Sequence, residues 1–391
     1  MSSDPSSRPT ASAVSDPGSS SRRGEPVRVR GACNVIYAFD VGFHLDLATA
    51  ERMLADQVET TPLTQRWQGP SWAERKARPL RLRLPDESRE VVAGYATSPS
   101  VQCTLFDFGA ASIVFHIPVD GDPADLLRLS ESLYDYRVLA DAARGLVDDL
   151  LRRLGPVPER RHPADIIEDY VVFAFDHWDP SLSAETVIDQ QRQTFAALLA
   201  AETSPLSEQQ ARDCVASRLS YGTDDATIAH WNGAILFDPN PFDTLSLIEH
   251  ANVVLVELRH VDHQLDELLS WSRSMMSRMS RLSIWPLTPG SRDVQRLAKA
   301  QMNSALLFEA ANNSIKLVED QYLARVYRLV ADKLQMPAWD TAVRRKIDIA
   351  ESVFDKITHR QTTRRMEVLE IIIILLILIS VIMPFIPWLS Y

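Results

Sequence analysis

Through the first 240 residues, apolar positions alternate with polar ones or gather in short runs. Beyond Pro241 they recur at every third or fourth position instead. The first pattern predicts strands and the second predicts long helices. Ala32-CNVIYAF-Asp40 reads as a strand, and LATAERMLADQV after it as an amphipathic helix, which together make one β-α unit. Leu80, Leu82 and Leu84 alternate with arginines in a short half-exposed strand. Val101 to Pro118 holds two apolar runs around Phe108-Gly109, a hairpin in which Gly109 is free to adopt positive φ. Helices follow over about Pro123–Leu133 and Tyr136–Leu154, until Pro156, Pro158 and Pro163 break the chain. A strand from Ile166 and a helix over about Ala184–Ala201 form a second β-α unit. Ser217 to Asp238 offers short strands with Gly222 and Asn232-Gly233 at the turns. Strand-helix alternation mixed with hairpins predicts an α+β domain built on a mixed sheet.

In the helical part, Ile248, Ala251, Leu255, Leu258, Asp262, Leu265, Leu269, Ser272, Met276 and Met279 fall at alternating spacings of three and four. This is a seam over five heptads, in a helix of some 40 residues. Pro286, Pro289 and Gly290 mark a turn. A second helix is expected over Ser291–Leu334, with Val294, Leu297, Phe308, Ile315, Val318, Tyr322 and Leu329 on its buried side. A last helix from Pro337 runs through Ile347, Phe354 and Ile357 into Glu370-IIIILLILISVIMPFIPWLS-Tyr391. From Ile371 to Leu389 that segment carries no charge, and at about 1.5 Å per residue it matches a hydrocarbon core of about 30 Å. It is expected to be a single transmembrane tail anchor with Trp388 and Tyr391 at the far interface. Arg360, Arg364 and Arg365 at its near end orient the preceding chain toward the cytosol. The expected organisation is a disordered tail over 1–27, an α+β domain over 28–240, a long-helix stalk over 241–366 and a membrane anchor over 367–391.

Charge and cysteine content narrow the partners. With 52 acidic against 41 basic residues the net charge is −11, which argues against a general nucleic-acid surface and against specific DNA binding. Cys33, Cys103 and Cys214 are odd in number and form no metal spacing, so they read as small buried side chains in a reducing compartment. No Walker loop, GxGxxG, GxSxG or HExxH is present, so no catalytic residue, cofactor or metal ligand is assigned. The basic stretch Arg75–Arg83, beside Trp67 and Trp72, suits a solvated loop or a contact to phosphate or anionic lipid.

Asp262 is the most informative single residue, because a carboxylate on an apolar seam needs a partner. Arg259 lies one turn before it. Asp266 lies one turn after it and would repel it unless a cation bridges the two. Glu257, Arg259, Asp262 and Asp266 are therefore the candidate structural or interaction cluster. His260 and His263 fall on the outer side of the heptad and are expected to be solvated, and His250, Glu257 and Glu267 add only a superficial metal-face pattern.

Four stretches, VIYAFDVGFHLDLATAERML, FDFGAASIVFHI, EHANVVLVELRHVDHQLDELL and THRQTTRRMEVLEIIIILLILI, resemble the required-for-meiotic-nuclear-division family, which shares the YagE-type domain of unknown function. The resemblance covers roughly Arg30 to the end, with ELRHVDHQLD its most specific part, and departs from the family pattern around Asp165–Ala211. It implies a membrane-anchored protein, since organellar members support translation at a membrane, and it carries no catalytic residue to this chain. The expectation is thus a non-enzymatic, tail-anchored scaffold or tether, oligomeric through its stalk, with its domain in the cytosol. A bacterial inner membrane is the expected location and a mitochondrial inner membrane the second choice. The alternatives are a transporter subunit resembling the CorA layout, without the second membrane helix and GMN motif of that family, and a membrane-proximal hydrolase with an unrecognised site.

Overall fold

The computed structural model describes residues 27–42, 44–59, 79–86, 89–155, 166–281, 302, 305 and 320–382. The tail read as disordered lies outside them, apart from Val27. Eight strands form one mixed sheet: β1 (Val29–Asp40), β2 (Leu80–Pro85), β5 (Ser100–Phe106), β6 (Ala110–Gly121), β7 (Ile167–His177), β8 (Arg218–Leu219), β9 (Ala226–Ala229) and β10 (Gly233–Phe237). Their spatial order is β2-β5-β6-β1-β7-β10-β9-β8, and β3 (Val91–Val92) with β4 (Tyr95–Ala96) forms a separate hairpin. Every pairing in the large sheet is antiparallel except that of β7 with β10.

The hairpin expected at Phe108-Gly109 is present, with Gly109 at φ 96°. Strand β1 lies at the centre and is buried on both faces from Cys33 to Asp40, which explains why its sequence is a nearly unbroken apolar run. At its start the sheet is too tight for any side chain, since a Cβ on Gly31 would lie 2.0 Å from the Ala174 carbonyl oxygen.

Helices cover both faces. On one side lie α1 (Leu47–Met53), α2 (Leu127–Leu133), α3 (Arg137–Leu154), α4 (Ala184–Gln190), α5 (Arg192–Ala200) and α6 (Glu208–Ala216). Their starts follow capping chemistry: Asp46, Ser183 and Ser207 accept from the backbone N–H of Thr49, Thr186 and Gln210. The helix expected over Ala184–Ala201 is broken at Gln191, and α6 was not anticipated from the sequence.

The other face is covered by α7 (Phe242–Arg281), α8 (Gln321–Lys333) and α9 (Met336–Ile382). The 40-residue helix is present as expected. However, from Leu247 to Leu258 it is buried on every side, a wider buried surface than a two-sided seam and one that also encloses the polar Glu249, His250, Asn252 and Glu257. The reason is that Ile36, Val114, Tyr170, Val172 and Leu236 of the sheet pack on one flank, while Val326, Val330 and Val343 of α8 and α9 pack on another. Residues read as stalk therefore supply the third layer of the domain. Asp320 caps α8 from a non-helical conformation, so the helix expected to run through Leu334 starts afresh there. Val294, Leu297, Phe308, Ile315 and Val318 lie outside the described residues.

Helix α9 is continuous from the domain into the apolar segment, and Ile371–Ile382 are exposed. Among the described residues no helix is long and apolar enough to cross a membrane. The described part of the apolar run, Ile371–Ile382, covers about 18 Å at about 1.5 Å per residue, short of a hydrocarbon core. Residues 383–391, with Trp388 and Tyr391, lie outside the described residues.

Candidate functional site

The polar residues of α7 face three neighbours and tie this helix to each of them. Toward the sheet, Arg259 forms an ion pair with Glu168 of β7, and Asn252 donates from Nδ2 to the Glu168 backbone carbonyl at 3.1 Å. Burial pushes the Glu168 carboxyl up to about 7, against the pull of the Arg259 guanidinium. Toward β1, His260 places Nε2 2.9 Å from Asp40 Oδ2, with both side chains buried, while Asp40 Oδ1 accepts from Gly42 N–H. Toward α9, Lys346 Nζ lies 2.7 Å from Asp262 Oδ1 and 2.7 Å from Asp266 Oδ1. Burial opposes the Lys346 charge, but hydrogen bonds to the two carboxylates outweigh it and hold the ammonium above its ordinary range.

The candidate cluster Glu257, Arg259, Asp262 and Asp266 is thus divided. Asp262 and Asp266 share a bridging cation, as their spacing required, but the cation comes from Lys346 and not from Arg259. Arg259 points to the sheet, with Trp339 of α9 packed 5.9 Å from its guanidinium carbon. Glu257 is buried.

The histidines correct the sequence reading. His263 is exposed beside Glu267, as expected, but His260 is buried against Asp40. The heptad places His260 away from the seam, but α7 is enclosed by sheet as well as by helices, so its outer side is also covered. His250 packs against Phe106 and Phe108, and its burial lowers the imidazole pKa to about 4, keeping it neutral at physiological pH. Among the described residues no group of three His, Cys, Asp or Glu could hold a metal ion.

Of the basic stretch, the described arginines lie on strand β2. Arg81 lies under α7, donating to Ser246 Oγ at 2.6 Å with Glu249 at 3.8 Å and the Phe242 ring at 4.4 Å, and Arg83 pairs with Glu59. Arg75, Lys76, Arg78, Trp67 and Trp72 lie outside the described residues, as do the side chains of Arg360, Arg364 and Arg365 on α9. Burial raises the pKa of all three cysteine thiols, which keeps them protonated. That includes Cys214, whose Sγ is 3.8 Å from His230 Nε2.

Among the described residues are two open surface clefts. One, of about 750 Å³, is lined by Leu84, Phe115, Leu146 and Leu150 together with Asp86, Asp149 and Arg153. The other, of about 620 Å³, lies at the start of β1 between Arg30, His177 and Trp178.

The residues missed by the sequence reading are Lys346, Glu168 and Asp40, while Arg81, read as part of the basic stretch, has Ser246 and Phe242 of α7 as its partners. Asp40 carried a signal, because it closes an otherwise apolar strand destined for burial. Lys346 and Glu168 carried none, since each acquires its role only when a distant helix or strand is laid beside α7.

The family model that matches the chain is the N-terminal domain of the uncharacterized protein MJ0711, over residues 30–243. This covers the sheet and ends at the start of α7, and it is a different family from the YagE-type one that the four stretches resemble. The MJ0711 protein of Methanocaldococcus jannaschii is 22% identical over 199 residues, which cover 50% of this chain and 59% of that protein. The chain thus aligns with less than two thirds of that relative. No solved structure matches.

Proposed function

The chain belongs to the family of the MJ0711 N-terminal domain, and from that premise we propose that it is a membrane-tethered scaffold. Its α+β domain meets a partner on the cytosolic side, and the segment beginning at Ile371 inserts into a bilayer. One observation carries the reading: Ile371–Ile382 keep their aliphatic side chains 45–60% exposed, on a helix whose first turns are pinned to the domain core. A continuous aliphatic surface of that size is seldom left in water by a soluble monomer. In the sequence the uncharged run continues to Leu389, which supplies the span that a bilayer needs. Arg360, Arg364 and Arg365 precede it and favour retention of the domain on the cytosolic side.

The ties around α7 support a mechanical role, since they fasten the membrane-directed helix to the sheet through Lys346, α7, Arg259 and His260. The test is alkaline extraction of membranes from cells expressing the full chain, together with protease added to intact spheroplasts. The expected result is retention of the protein in the membrane pellet and protection of the domain. Quantitative release by alkali, or digestion of the domain from outside, would overturn the proposal.

A further inference from the structure

Building on the membrane reading, we infer that α9 is a rigid spacer holding the sheet about 48 Å from the bilayer, so that the domain engages its partner well above the lipid surface. The geometry starts at the end of the sheet where β7 begins. There Glu168 pairs with Arg259, whose guanidinium lies against Trp339 of α9, so position 339 is level with the sheet's edge. From Trp339 to Ile371 the helix is unbroken, and 32 residues at about 1.5 Å each give about 48 Å. The direction is fixed as well. Trp339 meets Arg259 and Lys346 meets Asp262 and Asp266, so α9 and α7 run parallel and both leave the sheet at the same end.

Stiffness has two sources. Leu265, Leu268 and Trp271 of α7 belong to the same apolar cluster as Ile347, Ala350, Val353 and Phe354 of α9, so the first part of the spacer is a packed helix pair. Beyond Phe354 the sequence to Glu370 contains neither glycine nor proline, the residues that most often bend or break a helix. At physiological ionic strength the screening length is about 8 Å, so lipid headgroup charge is not felt across this gap. The domain's acidic surface is therefore free to recognise a partner in the aqueous space without repulsion from an anionic bilayer.

The test is a distance between two spin labels on the full-length protein, at Val138→Cys and Leu369→Cys, both exposed positions. Val138 lies in the first turn of α3 and Leu369 just before the apolar run, and the three native cysteines are buried and stay unlabelled. The expected result, in detergent and in phosphatidylglycerol-containing vesicles alike, is one narrow distribution above about 40 Å, because the helix from Trp339 to Leu369 alone rises about 45 Å. Removing residues 358–364, two turns of helix, should shorten it by about 10 Å while nearly preserving the helical phase. A distance below about 30 Å, a broad distribution, or no shortening on deletion would overturn the spacer. Vesicle co-flotation of the same samples separates the two ideas: a protein that does not float but shows the narrow long distance refutes the membrane reading, whereas one that floats with a short or broad distance refutes the spacer.

Discussion

Removing the cation from Lys346 tests whether α9 is fastened to the domain by a specific bridge or only by apolar packing. The perturbation is Lys346→Met, which keeps the aliphatic stem and deletes the ammonium that lies 2.7 Å from both Asp262 and Asp266. Exposed ion pairs contribute about 0–1 kcal/mol and fully buried ones cost about 3–5 kcal/mol when one partner is removed. Here the Lys346 and Asp262 side chains are 22% and 17% exposed and Asp266 is 58% exposed, so the site falls between those limits. Losing the ammonium should therefore cost about 2 kcal/mol, part of it from two carboxylates one turn apart with no charge between them. Asp262→Leu should cost less, because leucine at that seam position joins Leu258 and Leu265 on an apolar surface. The assay is urea unfolding of the full chain in detergent, followed by tryptophan fluorescence, across the cycle of Lys346→Met, Asp262→Asn and the pair. A coupling energy of about 1–2 kcal/mol is expected at low salt, retained in large part at high salt because the pair is mostly screened from solvent. Coupling below about 0.3 kcal/mol would refute the bridge and leave packing by Ile347, Ala350 and Phe354 as the fastening.

Further outcomes follow from the same structure. Glu168 has a folded-state carboxyl raised from 4.5 to about 7, chiefly by burial, so the folded protein binds more protons than the unfolded one between those values and its contribution to stability falls as pH rises through that window. Glu168→Gln should remove that slope, read as the difference between the two proteins' unfolding free energies from pH 4.5 to 7.5, and an unchanged slope would refute the assignment. Arg259→Leu should destabilise at pH 8 more than at pH 5, since only the ionised Glu168 needs its cation. Equal losses at both pH values would show that Arg259 acts through packing on Trp339 alone. Gly31→Ala drives a methyl into the Ala174 carbonyl and should cost about 1–3 kcal/mol by thermal or urea unfolding, and a neutral result would show that β1 and β7 separate there without penalty. His250 has a folded-state pKa lowered to about 4 by burial, so its contribution is lost as pH falls from 6.5 toward 4. His250→Gln, compared by unfolding across that range, should flatten this part of the profile.

Local chemistry made much of the architecture legible in the sequence. The alternation of Leu80, Leu82 and Leu84, the continuous run of β1, Gly109 in its hairpin and the long period of α7 each depend on contacts within a few residues. Periodicity reports those contacts directly. It also marked Asp262 and Asp266 as a pair in need of a cation, because their spacing on one helix sets their repulsion whatever lies beside them.

Which cation answered that need was decided in three dimensions. Lys346 is 80 residues beyond Asp266 and reaches it only because α9 packs parallel to α7. Arg259, the local candidate, was drawn away to Glu168 by the sheet. The same cause explains His260. A heptad assigns an inside and an outside relative to one partner, but α7 lies between a sheet and two helices, so a residue on the outside of one contact is on the inside of another. Capping, turn geometry and periodicity are set by neighbours in sequence, whereas the partner of a buried charge is set by whichever distant surface tertiary packing brings within about 3 Å.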